Sequence, residues 1–136
     1  MLFRSLLFHT ELDRTAYVTQ LILHLQGQLD IDHFRAAWQQ VVNRHDIFRT
    51  AFVANEQGQM QQLVLESVVL PWYAADISTM SADQQLQVIT ERRMSDKQQG
   101  FTMAEAPLMR ISVWSLGDGG YQVLWSHHHA LNDGWC

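Results

Sequence analysis

Two apolar runs separated by a glycine-rich turn constrain the fold more than any other feature of this sequence. Residues 108–116 and 121–127 are rich in β-branched and aromatic side chains, and Gly117-Asp118-Gly119-Gly120 lies between them. Such side chains favour strands, and glycine supplies the backbone freedom that a tight reversal needs. The pattern predicts a β-hairpin, so the fold must include an antiparallel sheet.

Earlier segments predict further strands. The β-leaning run at residues 17–26 predicts a strand with an inward face supplied by Val18, Leu21, Leu23 and Leu25. Residues 49–54 and 61–69 predict a second hairpin, because the segment between them is rich in turn-forming residues. Gly58 in that segment can take the positive φ angle that such connections need.

Two segments have the signatures of helices. Asp30 precedes apolar residues spaced by three and four, which predicts an amphipathic helix at residues 31–45 with an acidic N-cap. Ser81 and Gln84 match a capping box for a second helix that reaches residue 94. Strands interspersed with helices predict a layered α/β or α+β sandwich. To its core we assign four side chains of the first helix, Phe34, Trp38, Val41 and Val42.

Length and composition exclude several classes of function. With 136 residues, 47% of them hydrophobic, the chain can form one compact core. Its formal net charge of −5 gives no basic surface for nucleic acid. Polar residues interrupt the apolar opening at residues 1–8 before it reaches the length of a membrane span, so we expect no membrane partner. Cys136 is the single cysteine, which excludes an internal disulfide and favours the cytoplasm.

Three consecutive histidines follow the last predicted strand and lead into an Asp-Gly turn. In a strand that continued this far, His127 and His129 would share one face and His128 would lie on the other, so the three are not expected to act as one cluster. A neutral imidazole could take a proton from an amine or hydroxyl nucleophile, because histidine's ordinary pKa of about 6.5 lies near working pH. Asp133 could orient the loop, and Gly134 permits a close turn.

Two other interpretations of the histidines stay open on chemistry alone. Buried histidines are often hydrogen-bonded core residues without a catalytic role. A metal site is the third possibility, but the chain has no second group of Cys or His at recognisable zinc-ligand spacing. We therefore expect no metal.

Three ordered motifs resemble those of condensation domains from nonribosomal peptide synthetases. Residues 128–134, His-His-Ala-Leu-Asn-Asp-Gly, reproduce the HHxxxDG signature of that family, and Trp135 follows as it commonly does. Residues 1–17 resemble the family's opening motif. Residues 44–52 resemble its RHExLRTxF motif, with Asp46 where the family more often has Glu. The three matches span nearly the whole chain.

The resemblance implies a fold and roles for particular residues. Residues 1–136 would form the amino-terminal portion of a condensation domain, an incomplete chloramphenicol acetyltransferase-like lobe. His129 would be the base or the group that positions the acceptor amine, and His128 would be mainly structural. Asp133 would hold the signature loop through a salt bridge to Arg44 or Arg49. The extra histidine, His127, has no role in the family.

The resemblance also implies an activity and partners. The domain would form an amide bond between a carrier-bound acyl or aminoacyl thioester and a carrier-bound aminoacyl acceptor. The phosphopantetheine arms belong to partner carrier (thiolation) domains, so no cofactor is expected on the chain itself. An adjacent adenylation domain and the remaining part of the condensation domain are the other expected partners. Alone, the chain should be inactive, expose apolar surface, and dimerise or aggregate.

Alternatives from related families remain. Acyl-CoA-dependent acyltransferases and epimerization domains share part of the signature, and a non-catalytic carrier-binding lobe would retain the same contacts. Epimerization domains generally place their tryptophan a few residues beyond the glycine, whereas Trp135 follows Gly134 directly. The acyl-CoA enzymes usually lack the pattern at residues 44–52. Condensation is therefore the preferred interpretation.

Overall fold

A four-stranded mixed sheet forms the centre of the molecule. A computed structural model of the chain describes residues 9–10 and 12–132. The elements in chain order are β1 (Val18–Gln26), α1 (Ile31–Arg44), a 3₁₀ helix (Asp46–Arg49), β2 (Thr50–Ala54), β3 (Met60–Val64), β4 (Trp72–Asp76), α2 (Ala82–Gln99), β5 (Met109–Gly117) and β6 (Gly120–His128). The sheet has the order β1-β6-β5-β4, and β2 and β3 form a separate two-stranded sheet.

The hairpin predicted from the glycine-rich turn is confirmed as β5–β6. These strands pair antiparallel, and φ is positive at Gly117, Asp118 and Gly119 in the turn. The predicted first strand is confirmed as β1, which pairs antiparallel with β6 from Val18 opposite His128 to Gln26 opposite Gly120. The start of β1 therefore lies beside the end of β6.

The second predicted hairpin is confirmed as β2–β3, with different limits. Gly58 has a φ of 73° in the turn, as expected. Arg49 lies in the 3₁₀ helix and not in the strand, and β3 ends at Val64 and not at residue 69. The prediction was wrong beyond Val64 because an apolar sequence alone does not provide a partner strand, and only residues 60–64 pair with β2.

The strand β4 was not predicted from the sequence. It pairs parallel with β5, from Trp72 opposite Ile111 to Asp76 opposite Ser115. The connection between these two parallel strands contains α2, as parallel pairing requires a long crossover.

Both predicted helix starts are confirmed. The Asp30 side chain accepts a hydrogen bond from the His33 N–H, and both bonds of the Ser81–Gln84 capping box are present. The second helix was predicted to stop near residue 94 but continues to Gln99. Polar contacts explain the difference, because Asp96 is 5% exposed and its Oδ1 lies 2.7 Å from Nε of Arg110 on β5. Hydrophobic periodicity cannot detect such a contact.

The layered α/β sandwich is confirmed by two cores on opposite faces of the sheet. Val113 and Trp114 are successive residues of β5 and are both completely buried, but they belong to different clusters. The cluster with Val113 includes Val42 of α1 and Phe52 of β2, whereas the cluster with Trp114 includes Ile89 of α2. The sheet is thus covered by α1 and the β2–β3 hairpin on one face and by α2 on the other.

Two residues that were predicted to lie in the core are exposed to solvent. Leu21 is 44% exposed and Val41 is 39% exposed. β1 forms an edge of the sheet, so its side chains are covered incompletely, and Val41 lies beside the buried stripe that Val42 occupies on α1. The other predicted core residues, Val18, Leu23, Leu25, Phe34 and Trp38, pack against the larger cluster, and Val42 is part of it. None of the helices within the described residues is both long and apolar enough to cross a membrane.

Candidate active site at the end of β6

The three histidines occupy the end of β6 and the turn that follows it. β6 ends at His128, so His129 lies in the turn. The strand therefore stops one residue before His129, so the condition under which His127 and His129 would share one face is not met. His127 and His128 are 5% and 0% exposed, whereas His129 is exposed.

His128 is held by a hydrogen bond at each ring nitrogen. Its Nδ1 accepts from the Ala130 backbone N–H at 3.0 Å, and its Nε2 lies 2.8 Å from the Thr10 hydroxyl. A backbone N–H can only donate, so Nδ1 carries no proton and Nε2–H donates to Thr10. Burial, helped by the charges of the neighbouring His129 and His127, lowers the pKa of His128 to about 4. The ring is neutral near neutral pH.

His127 faces the layer formed by α1. Its ring centroid is 4.5 Å from that of Trp125, which itself contacts Trp38 of α1 at 5.6 Å. Burial lowers the pKa of His127, the hydrogen bond to the His128 carbonyl acts in the opposite direction, and His129 adds a small lowering. His127 is therefore a neutral, packed residue.

His129 differs from its neighbours because all its hydrogen bonds within the described residues are made by its backbone. Its N–H donates to the Tyr17 carbonyl at 2.8 Å, and its own carbonyl accepts from the Asn132 N–H at 3.4 Å. Within the described residues, its imidazole forms no hydrogen bond. The arrangement leaves an exposed imidazole on a turn whose backbone is held by hydrogen bonds.

The rest of the signature lies outside the described residues. This applies to Asp133, Gly134 and Trp135. The last described residue, Asn132, has a buried Oδ1 without a hydrogen-bond partner among residues 9–10 and 12–132.

The two candidate arginines have different surroundings. Arg44 is the exposed last residue of α1, where a cation is favourable at the helix C-terminus. The Arg49 side chain is only 13% exposed and donates to the carbonyls of Leu65 and Glu66 and to the carboxylate of Asp46. Its Nε is buried and has no partner in the part of the chain that the structure describes.

Sequence reasoning missed Thr10 and Tyr17 as parts of this site. Thr10 is 2% exposed and lies 118 residues before His128 in the chain. Tyr17 contributes its carbonyl and has a positive φ of 61°. Sequence patterns cannot indicate either contribution, because one threonine hydroxyl has no characteristic spacing and every residue has a backbone carbonyl. Positive φ at a tyrosine is also uncommon.

Among the described residues, no group of three or more His, Cys, Asp or Glu side chains could hold a metal ion.

Solved structures similar to this one identify the fold. The starter condensation domain of rhizomide synthetase matches with a TM-score of 0.82 and 21% identity, over 97% of this chain and 32% of that one. A four-domain nonribosomal peptide synthetase bound to AMP and glycine matches with a TM-score of 0.79 and 22% identity, over 97% of this chain and 10% of that one. The layered sandwich is therefore a chloramphenicol acetyltransferase-like lobe.

Sequence comparisons identify the family. The family model for the condensation domain matches residues 4–136. Two synthetases of Brevibacillus parabrevis are similar: one of the linear gramicidin synthase proteins is 38% identical over 132 residues, and tyrocidine synthase 2 is 35% identical over 134. These matches cover 96% and 97% of this chain, but the chain spans only 2% and 4% of the relatives' lengths. The chain belongs to the condensation domain family of nonribosomal peptide synthetases.

Proposed function

We propose that this chain is the amino-terminal part of a condensation domain that joins a carrier-bound acyl or aminoacyl group to a carrier-bound aminoacyl acceptor. The observation that carries the proposal is the contrast between His128 and His129. His128 uses both ring nitrogens in buried hydrogen bonds, whereas the exposed His129 keeps its imidazole available on a turn whose backbone is fixed.

The reaction assigns a limited task to His129. The acceptor amine attacks the donor thioester carbonyl, the C–N bond forms, the C–S bond breaks, and the thiol of the donor arm leaves. The amine loses a proton in the process, and His129 either accepts it or positions the amine for attack. His128 cannot do this, because its Nδ1 lone pair is already bonded to the Ala130 N–H.

Arg49 is the proposed partner of Asp133. Its side chain is mostly buried and its Nε faces no acceptor among the described residues, whereas Arg44 is exposed to solvent. A buried guanidinium with an unsatisfied donor favours a nearby carboxylate. A salt bridge between Arg49 and Asp133 would connect the 3₁₀ helix to the signature loop.

The proposed partners follow from family membership. Carrier domains would bring both substrates on phosphopantetheine arms, an adenylation domain would load the acceptor carrier, and the remaining part of the condensation domain would complete the site. The chain itself would bind no cofactor. The proposed location is the cytoplasm, in keeping with the single cysteine.

The test is amide formation by the complete condensation domain with loaded carrier domains, followed by mass spectrometry. His129→Ala should lower the rate by about 100-fold or more, because it removes the base or positioning group. His24→Ala is the matched control, since His24 is an exposed histidine in the middle of β1 and should retain the parent rate. A parent domain that binds carriers but forms no amide with any donor and acceptor pair would favour the non-catalytic carrier-binding lobe instead.

A further inference from the structure

We propose that Thr10 is a positioning residue that holds the His129 turn through the protonation pattern of His128. The inference rests on the proposed function of His129 and concerns a residue of the opening segment, residues 1–17, to which the family resemblance assigned no role. The Thr10 hydroxyl accepts from His128 Nε2–H, which leaves Nδ1 as the acceptor for the Ala130 N–H.

The two hydrogen bonds are coupled because one imidazole has one proton in its neutral form. If the proton moved to Nδ1, it would face the Ala130 N–H, and two donors would oppose each other across 3.0 Å. Nε2 would at the same time face the Thr10 hydroxyl as an acceptor. The Ala130 N–H therefore selects the Nε2–H form. Thr10 stabilises this form by accepting the buried Nε2 proton, which without the hydroxyl would be an unsatisfied donor.

The Ala130 N–H is one of two amides that fix His129. The His129 N–H is bound to the Tyr17 carbonyl, and the next amide, that of Ala130, is bound to His128 Nδ1. The Cα of His129 thus lies between two anchored amides, which sets the direction in which its side chain leaves the turn. Without the Ala130 hydrogen bond, that peptide group is held, within the described residues, only by the 3.4 Å hydrogen bond from the Asn132 N–H to the His129 carbonyl.

A mutation of Thr10 can remove its hydrogen bond to His128 and leave the backbone hydrogen bonds of the turn in place. Tyr17 acts through its carbonyl, so a side-chain substitution does not remove its hydrogen bond. Within the described residues, Thr10 forms the only hydrogen bond from another side chain to His128. Thr10→Val keeps the shape and removes the acceptor, whereas Thr10→Ser keeps the hydroxyl and is the matched control.

The first measurement is spectroscopic and does not depend on activity. In the complete domain, ¹⁵N-labelled histidine reports which ring nitrogen carries the proton, and loss of the signal in a His128→Gln variant assigns it. The parent and Thr10→Ser should show the Nε2–H form of His128, and Thr10→Val should show a mixture. An Nδ1–H form in the parent, or an unchanged Nε2–H form in Thr10→Val, would overturn the inference.

The second measurement is the rate of amide formation. Thr10→Val should lower kcat by about 10- to 100-fold, as expected when a catalytic group is misdirected, with little change in KM for the carriers. Thr10→Ser should stay within about twofold of the parent. A folded Thr10→Val domain with the parent's kcat would contradict the positioning role. A parent that forms no amide would contradict the proposed function alone, since the spectroscopic comparison decides the state of His128 independently.

Discussion

The protonation of His128 ties the shape of the turn to solution pH. Protonation at Nδ1 requires the ring to give up the Ala130 N–H, to carry a charge without solvent, and to repel His127 and His129 when they are charged. The folded state therefore resists taking up this proton, whereas the unfolded chain takes it up with the ordinary pKa of about 6.5. Acid consequently favours the unfolded state.

We predict that the free energy of unfolding of the complete domain falls as the pH drops from about 6.5 to about 4. The shift at His128 to about 4 corresponds to a loss on the order of 3 kcal/mol, and the lowered pKa of His127 acts in the same direction. Urea denaturation between pH 7 and pH 4.5 measures the loss. His128→Gln should flatten the profile and His33→Gln, with an 87% exposed side chain, should not; equal profiles for all three proteins would refute this account.

A second prediction at the residue scale distinguishes the two arginines. Arg49→Lys should destabilise the domain by about 2 kcal/mol, because one ammonium cannot reach the Leu65 and Glu66 carbonyls and the Asp46 carboxylate together. Arg44→Lys keeps an exposed cation at the end of α1 and should stay within about 0.5 kcal/mol. Chemical denaturation measures the free energy of unfolding of both variants. Equal losses would contradict the prediction that the buried arginine contributes more to stability than the exposed one.

The end of α2 illustrates how an element is terminated by a contact distant in sequence. Gly100 caps this helix with φ 61° and ψ −154°, a region that is essentially restricted to glycine. A Cβ at Gly100 would overlap the Arg14 carbonyl oxygen. The segment before β1 therefore passes directly over the end of α2.

We predict that Gly100→Ala destabilises the domain far more than Gly58→Ala. Both glycines have positive φ, so both substitutions carry a conformational cost of about 1–2 kcal/mol. Only Gly100 adds a backbone clash, since a Cβ at Gly58 meets no atom within 4 Å. The Gly100 variant should lose at least about 2 kcal/mol more, as measured by thermal or urea unfolding. Similar losses would indicate that Arg14 moves away freely.

The elements that sequence could predict are those defined by local patterns. The β5–β6 hairpin, the β2–β3 turn and both helix starts follow from glycine spacing and capping residues, which act within a few positions. β4, the last turn of α2 and the Thr10–His128 contact depend on partners far along the chain. For the same reason, family motifs indicated the histidine turn, but the surroundings of Arg44 and Arg49 required the three-dimensional structure.

At the scale of the whole molecule, large apolar side chains remain exposed in and after β3. Leu63, Val64 and Val69 are 51%, 46% and 76% exposed. The chain spans about a third of the similar rhizomide synthetase domain structure. Exposed apolar side chains mark contact surfaces where they form a patch, and we propose that the remaining part of the domain covers these three.

We predict that the 136-residue chain, expressed alone, self-associates through this segment. Leu63→Lys with Val69→Lys should shift it towards the monomer in size-exclusion chromatography with light scattering, because a charge opposes burial. Leu86→Lys is the control, since Leu86 is 66% exposed on α2, on another part of the surface. Equal effects of both variants would show that net charge, and not this segment, governs association.

The pairing of β1 with β6 limits how early the sheet can form during synthesis. β1 is the first strand that leaves the ribosome among the described elements, yet its partner β6 is the last. About a hundred residues separate them, so at translation speeds of about 5–20 residues per second β6 is synthesised roughly 5 to 20 s after β1. During that interval β1 lacks the neighbouring strand that it pairs with in the folded protein.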